Sequence, residues 1–143
     1  MIDTELLDQW AARAGLTSRR CSGAQMAWGD IEVAFGIREK DGRFEVISAN
    51  RGHWVVDGVT SSRDSALAML LVRFDQLWRS FNGLHDPFPA GPAAGSRVSP
   101  VGDGHLAEVT GERGVFRRED DARMFTYVAD LPHDDVAALM ATH

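Results

Sequence analysis

The feature that most constrains this chain is one long amphipathic run near its middle. Leu67, Leu70, Leu71, Phe74, Leu77, Trp78 and Phe81 recur at spacings that put them on one face of an α-helix. Ser61-Ser62-Arg63-Asp64 reads as a capping box, with Ser61 paired to Asp64, and Asn82-Gly83 supplies the stop. The helix predicted over residues 62–82 would be roughly 30 Å long. Its apolar face would be wet unless it lay across a sheet.

The flanking sequence can make that sheet. Ile31, Val33, Phe35 and Ile37 alternate with smaller or polar residues, the pattern of a half-buried strand with these four inward. Lys40-Asp41-Gly42-Arg43 then signals a tight hairpin turn. The return strand spans 44–49, a third spans 54–59 with a break at Asp57-Gly58, and a short strand at 25–28 precedes them. A first helix is expected over 4–14, with Leu6, Leu7, Trp10, Ala11 and Ala14 as its stripe and Gly15 at its end.

Beyond the long helix, residues 83–104 carry Pro87, Pro89, Pro92 and Pro100 among several glycines, which reads as loop. A loop of this length inside a domain is usually functional or mobile. Strands are expected at 106–110, 115–118 and 124–129, and a last helix at 132–141 starting on Pro132. The fold class is therefore α+β, with antiparallel sheet packed by a long central helix in the order α-β-β-β-α-loop-β-β-β-α. With 143 residues, 1–143 form one domain.

Composition narrows the function. The net charge of -6 opposes binding to nucleic acid or to an anionic membrane. The longest apolar run, Ala66 to Val72, is too short to span a bilayer. The opening MIDTELLDQW has acids where an export signal would place bases, so a cytoplasmic protein is expected. Lys40 is the only lysine among many arginines, a bias that fits a GC-rich, actinobacterial genome. Cys21, the single cysteine, reads as a small buried side chain; Arg19 and Arg20 alone do not make it a nucleophile.

No catalytic set emerges, so no enzyme activity and no cofactor or metal are expected. No two of His53, His85, His105, His133 and His143 stand three to five residues apart. His133-Asp134-Asp135 could ligate a metal, but acids at a helix start more simply complement its dipole. The segment from Gly91 to Arg97 lacks the lysine and spacing of a phosphate loop. Trp10 and Trp78 lie on helix stripes and read as core. Trp28 and Trp54 sit at strand ends, and Asn50-Arg51-Gly52-His53-Trp54 places Arg and Trp together at a bend. Those residue types are enriched at binding hot spots. The candidate protein contacts are Trp28, Arg51, His53 and Trp54, with a second patch from Leu84 to Phe88.

Three segments in order resemble one family. They are Trp10-Ala11-Ala12-Arg13-Ala14-Gly15-Leu16, then the strand from Phe44 to Arg51 followed by an apolar strand and a long helix, and the closing stretch from Leu131 to Leu139. Together they are similar to the bacterial immunity-protein family numbered sixty-one, across most of the chain. The resemblance implies a non-catalytic protein that binds a cognate secreted polymorphic toxin in the cytoplasm and blocks its active site. Toxins of that type include actinobacterial enzymes that hydrolyse NAD. The central loop here is richer in Pro and Gly than the family pattern, and loops set partner choice. A peptide-binding secretion chaperone of the type III class, small and acidic with a similar order of elements, is the alternative.

Overall fold

The computed structural model describes residues 4–19, 24–101, 106–109 and 114–141. Cys21, His105, His143 and residues 110–113 lie outside them. Two links of the first meander are tight two-residue turns. Strands β1 (Thr17–Arg19), β2 (Met26–Gly29), β3 (Val33–Lys40), β4 (Arg43–Asn50) and β5 (His53–Thr60) pair in sequence, each antiparallel to the next. The β3–β4 turn is Asp41-Gly42, with φ of 55° and 76°, and the β4–β5 turn is Arg51-Gly52, with φ of 54° and 81°. Positive φ at both central residues gives a turn whose twist matches that of the strands. Asp-Gly suits this geometry. Arg51 does not, because its Cβ crowds the backbone in the left-handed region.

The expected break at Asp57-Gly58 is a β-bulge. Val46 pairs with Gly58 and Ile47 with Val56, so Asp57 is the extra residue. A second meander, β6 (Val98–Val101), β7 (Leu106–Val109) and β8 (Gly114–Phe116), joins β5 through β8. The result is one antiparallel sheet in the order β1-β2-β3-β4-β5-β8-β7-β6.

Among the described residues four helices accompany it: α1 (Thr4–Arg13), α2 (Arg63–Phe81), α3 (Glu119–Val128) and α4 (His133–Met140). The long helix α2 lies on the sheet as the sequence requires. Its Phe74 meets Trp28 and Phe35 edge-on, with centroids 5.7 and 6.5 Å away. Ser62, one residue later than expected, is its N-cap and accepts from the Ser65 amide at 3.1 Å. Asn82 and Gly83 (φ 68°) end it. Inside its last turns, Arg79 holds Asp75 at 2.7 Å and donates to the carbonyls of His85 and Met140, tying α4 to the segment after α2. Trp10 and Trp78 are half-buried rather than fully internal, and the Arg13 guanidinium lies over both rings.

Three expectations are corrected. Residues 124–129 are not a strand; 124–128 fall in α3 and Ala129 is its C-cap. Asp121, Ala122, Met124, Phe125 and Val128 are buried at helical spacing, and Glu119, Asp120 and Asp121 complement the dipole of the first turn. The missing strand is instead β6, cut from the end of the segment read as loop. Ile31 is not inward; it sits in the β2–β3 turn and is 96% exposed. The remaining loop is strapped to one face of α3. Arg123 donates to the Pro89 carbonyl and pairs with Asp86, Thr126 accepts from the Ala93 amide, and Tyr127 donates to the Gly91 carbonyl.

Candidate protein interface

The β2–β3 and β4–β5 turns lie side by side at one end of the sheet. The Asp30 carboxylate accepts from the backbone amides of Glu32 and Val33, each at 2.8 Å, and the Asp30 amide donates to the Val33 carbonyl at 2.8 Å. The amides of Val33 and Glu32 hold the Asp30 carboxyl below its ordinary value. The Arg51 amide donates to the Glu32 carbonyl at 2.7 Å and couples the two turns. The Arg19 guanidinium donates to the Asp30 carbonyl and adds β1 to the same unit.

Strand alternation gives this end two different faces. Ala34, Ala49 and Trp54 are register partners on the face away from α2. With Ile31, Glu32 and Gly52 they line a groove of about 180 Å³ whose floor is small residues. On the helix side, Phe35, Ser48 and Val55 are register partners, and with Asn50, His53 and Arg117 they line a second hollow of about 340 Å³. Arg51 and His53 are exposed and Trp54 is half-buried.

The structure therefore gathers Arg51, His53 and Trp54 at one sheet end. Trp28 does not join them. It is 2% exposed on the helix side, and its indole N–H donates to Asp8 at 2.7 Å, so its ring is spent in the core. Phe88 is likewise 8% exposed and packs on Tyr127. Leu84 remains 43% exposed at the end of α2, near in sequence to Phe81 at 71%. Sequence reasoning missed Ile31. Gly29-Asp30 before it is turn chemistry, and that signal competed with an alternation that also fitted a strand.

Two buried carboxylates lie nearby. Asp57 pairs with Arg117 at 3.0 Å and Asp121 with Arg73 at 3.1 Å. Burial pushes the Asp121 carboxyl above its ordinary value, with the Asp57 charge adding to the rise and Arg73 opposing it. Each carboxylate has a salt-bridge partner of its own, so the pair ties β5 and α2 to the second meander and α3. His133 places Nε2 2.9 Å from the Asp64 carbonyl, which fixes the start of α4 against α2. Among the described residues, no group of three His, Cys, Asp or Glu side chains is arranged to hold a metal ion. No described helix is long and apolar enough to cross a membrane.

The fold and this surface define a small α+β protein with a preformed, mixed apolar and arginine-bearing sheet end, of the composition that protein interfaces use. Residues 10–142 match the family described as Immunity protein 61, and the chain belongs to that family of immunity proteins, which implies a toxin as its protein partner. The structure titled Rv3902c from M. tuberculosis has a similar fold, with a TM-score of 0.73 at 14% identity over 96% of this chain and 87% of that one. No curated protein sequence matches the chain.

Proposed function

We propose that this protein binds a cognate secreted toxin in the cytoplasm of the producing cell and blocks the toxin's active site without catalysing a reaction. The observation that carries the reading is one sheet end where exposed Ile31 and Arg51 stand on two hydrogen-bonded turns, with half-buried Trp54 beside Ile31 in the groove on one face and exposed His53 on the other. An exposed apolar side chain beside Arg and Trp, on backbone that is already ordered, is the arrangement that binds with little entropic loss. Leu84 and the end of α2 form the second candidate patch. An NAD-hydrolysing enzyme is the toxin class to try first, because the family resemblance implies it.

The chaperone reading has less support. Strand addition needs a long free edge. Here one edge strand, β1, has three residues, and the other, β6, contains Pro100, which has no N–H to offer. The test is co-purification with the product of the neighbouring toxin gene. A one-to-one complex in which NAD hydrolysis stops, and recovers when Trp54→Ala weakens the complex, supports the proposal. A homodimer that carries an unfolded segment and inhibits nothing sinks it.

A further inference from the structure

Most exposed apolar side chains on a protein surface mean nothing, because a folded chain cannot cover itself with polar atoms. Ile31 differs from that background in how it is held. A side chain on a loose loop must give up backbone freedom to bind. The backbone of Ile31 has already lost it, since the Asp30 carboxylate takes both of the next two amides and the Glu32 carbonyl is tied to Arg51. The residue is nevertheless almost fully in water. The groove beside it, walled by Trp54 and floored by Ala34 and Ala49, leaves room for a partner's backbone to come close.

Resting on the immunity reading, we infer that Ile31 is the apolar anchor of the toxin interface. It enters a pocket of apolar side chains on the toxin, and Asp30 acts as the positioning residue that holds it out. The partner surface that fits is a concave apolar site, with a polar rim placed to meet Arg51 and Glu32. Phe81 is the rival, the next most exposed large apolar side chain among the described residues, but it sits at a helix end and lines neither of the two hollows.

The experiment titrates the full-length protein with the purified product of the neighbouring toxin gene and reads the dissociation constant. Ile31→Ser is expected to weaken binding roughly 10- to 100-fold, the fold-change equivalent of losing one buried aliphatic side chain. Ile31→Leu recovers most of that loss. Asp30→Ala weakens binding several-fold and Asp30→Asn restores it, because the asparagine oxygen can accept the same two amides; a role confined to stability would instead move the urea midpoint and leave the affinity alone. Ile31 is exposed, so its variants are expected to fold, and their urea midpoints check that. If Ile31→Ser binds like the unaltered protein while Phe81→Ser or Leu84→Ser abolishes binding, the anchor inference is overturned and the immunity reading stands. If the unaltered protein forms no complex with the toxin, the immunity reading falls and this inference with it.

Discussion

At the scale of single residues, two positions are held against their intrinsic preference. Arg51 occupies the first position of a primed turn at φ 54°, where asparagine or glycine is the ordinary choice. A left-handed conformation costs an L-residue about 1–2 kcal/mol, so Arg51→Asn should stabilise the protein by about 1 kcal/mol. The same change removes the guanidinium from the proposed interface and should weaken toxin binding. A higher urea midpoint with unchanged slope, together with a larger dissociation constant, is the expected pair of results. A lower midpoint would mean that Arg51 is placed there for the fold. Asp121 is the second case. Its carboxyl is raised by burial, so the folded state takes up that proton before the unfolded chain does. Stability contributed by this group therefore rises as pH falls from neutral through the raised value, and the gain ends near 3.8, where the unfolded chain is protonated too. Measured against Asp121→Asn, the unaltered protein should gain relative stability between neutral pH and that point; a relative loss over this window would refute the assignment.

At the scale of elements, packing decides what local pattern leaves open. A Cβ on Gly58 would lie 2.2 Å from the Phe116 ring, which crosses from β8 to cover the bare backbone of β5. Phe116 cannot give way, because it is fully buried against Phe125 at 4.9 Å. Gly58→Ala should therefore cost about 1–3 kcal/mol in thermal or urea unfolding, and adding Phe116→Leu should recover part of that loss. Such a contact is invisible in the sequence, since it joins residues far apart in the chain. The parts that were legible are those written in short-range periodicity: α1, α2 and the hairpin at Asp41-Gly42, with an irregularity at Asp57-Gly58 whose form, a bulge in an unbroken strand, was not. The stretch 124–129 was not, because Met124, Thr126 and Val128 alternate well enough for a strand while Phe125 and Val128 also fit a helix face. Only burial on α2 and the second meander settles the choice. The sheet end proposed as the interface was legible in part, as a grouping of residues. Arg51, His53 and Trp54 announced themselves at a bend, whereas Trp28 and Ile31 each sat at a strand end where a shift of one residue exchanges core for solvent.

At the scale of the whole molecule, charge and edges matter more than any contact. The net charge of -6 sets up a field that would draw in a basic partner, while Arg51 in the β4–β5 turn and Arg19 beside Asp30 are placed for short-range fit. Capture of a basic toxin should therefore slow about tenfold as salt rises from low to several hundred millimolar, with dissociation little changed, in stopped-flow or surface-binding kinetics. A salt-independent association rate would mean that the toxin face is neutral. The sheet, though eight strands wide, ends on a three-residue strand at one side and on a strand interrupted by Pro100 at the other. Neither offers a neighbour a template to lengthen. An antidote works only if it is already waiting when the poison arrives, which means being stockpiled without its partner. If the proposed role holds, blunt margins would let such a reserve stand in a crowded cell without copies zipping onto one another.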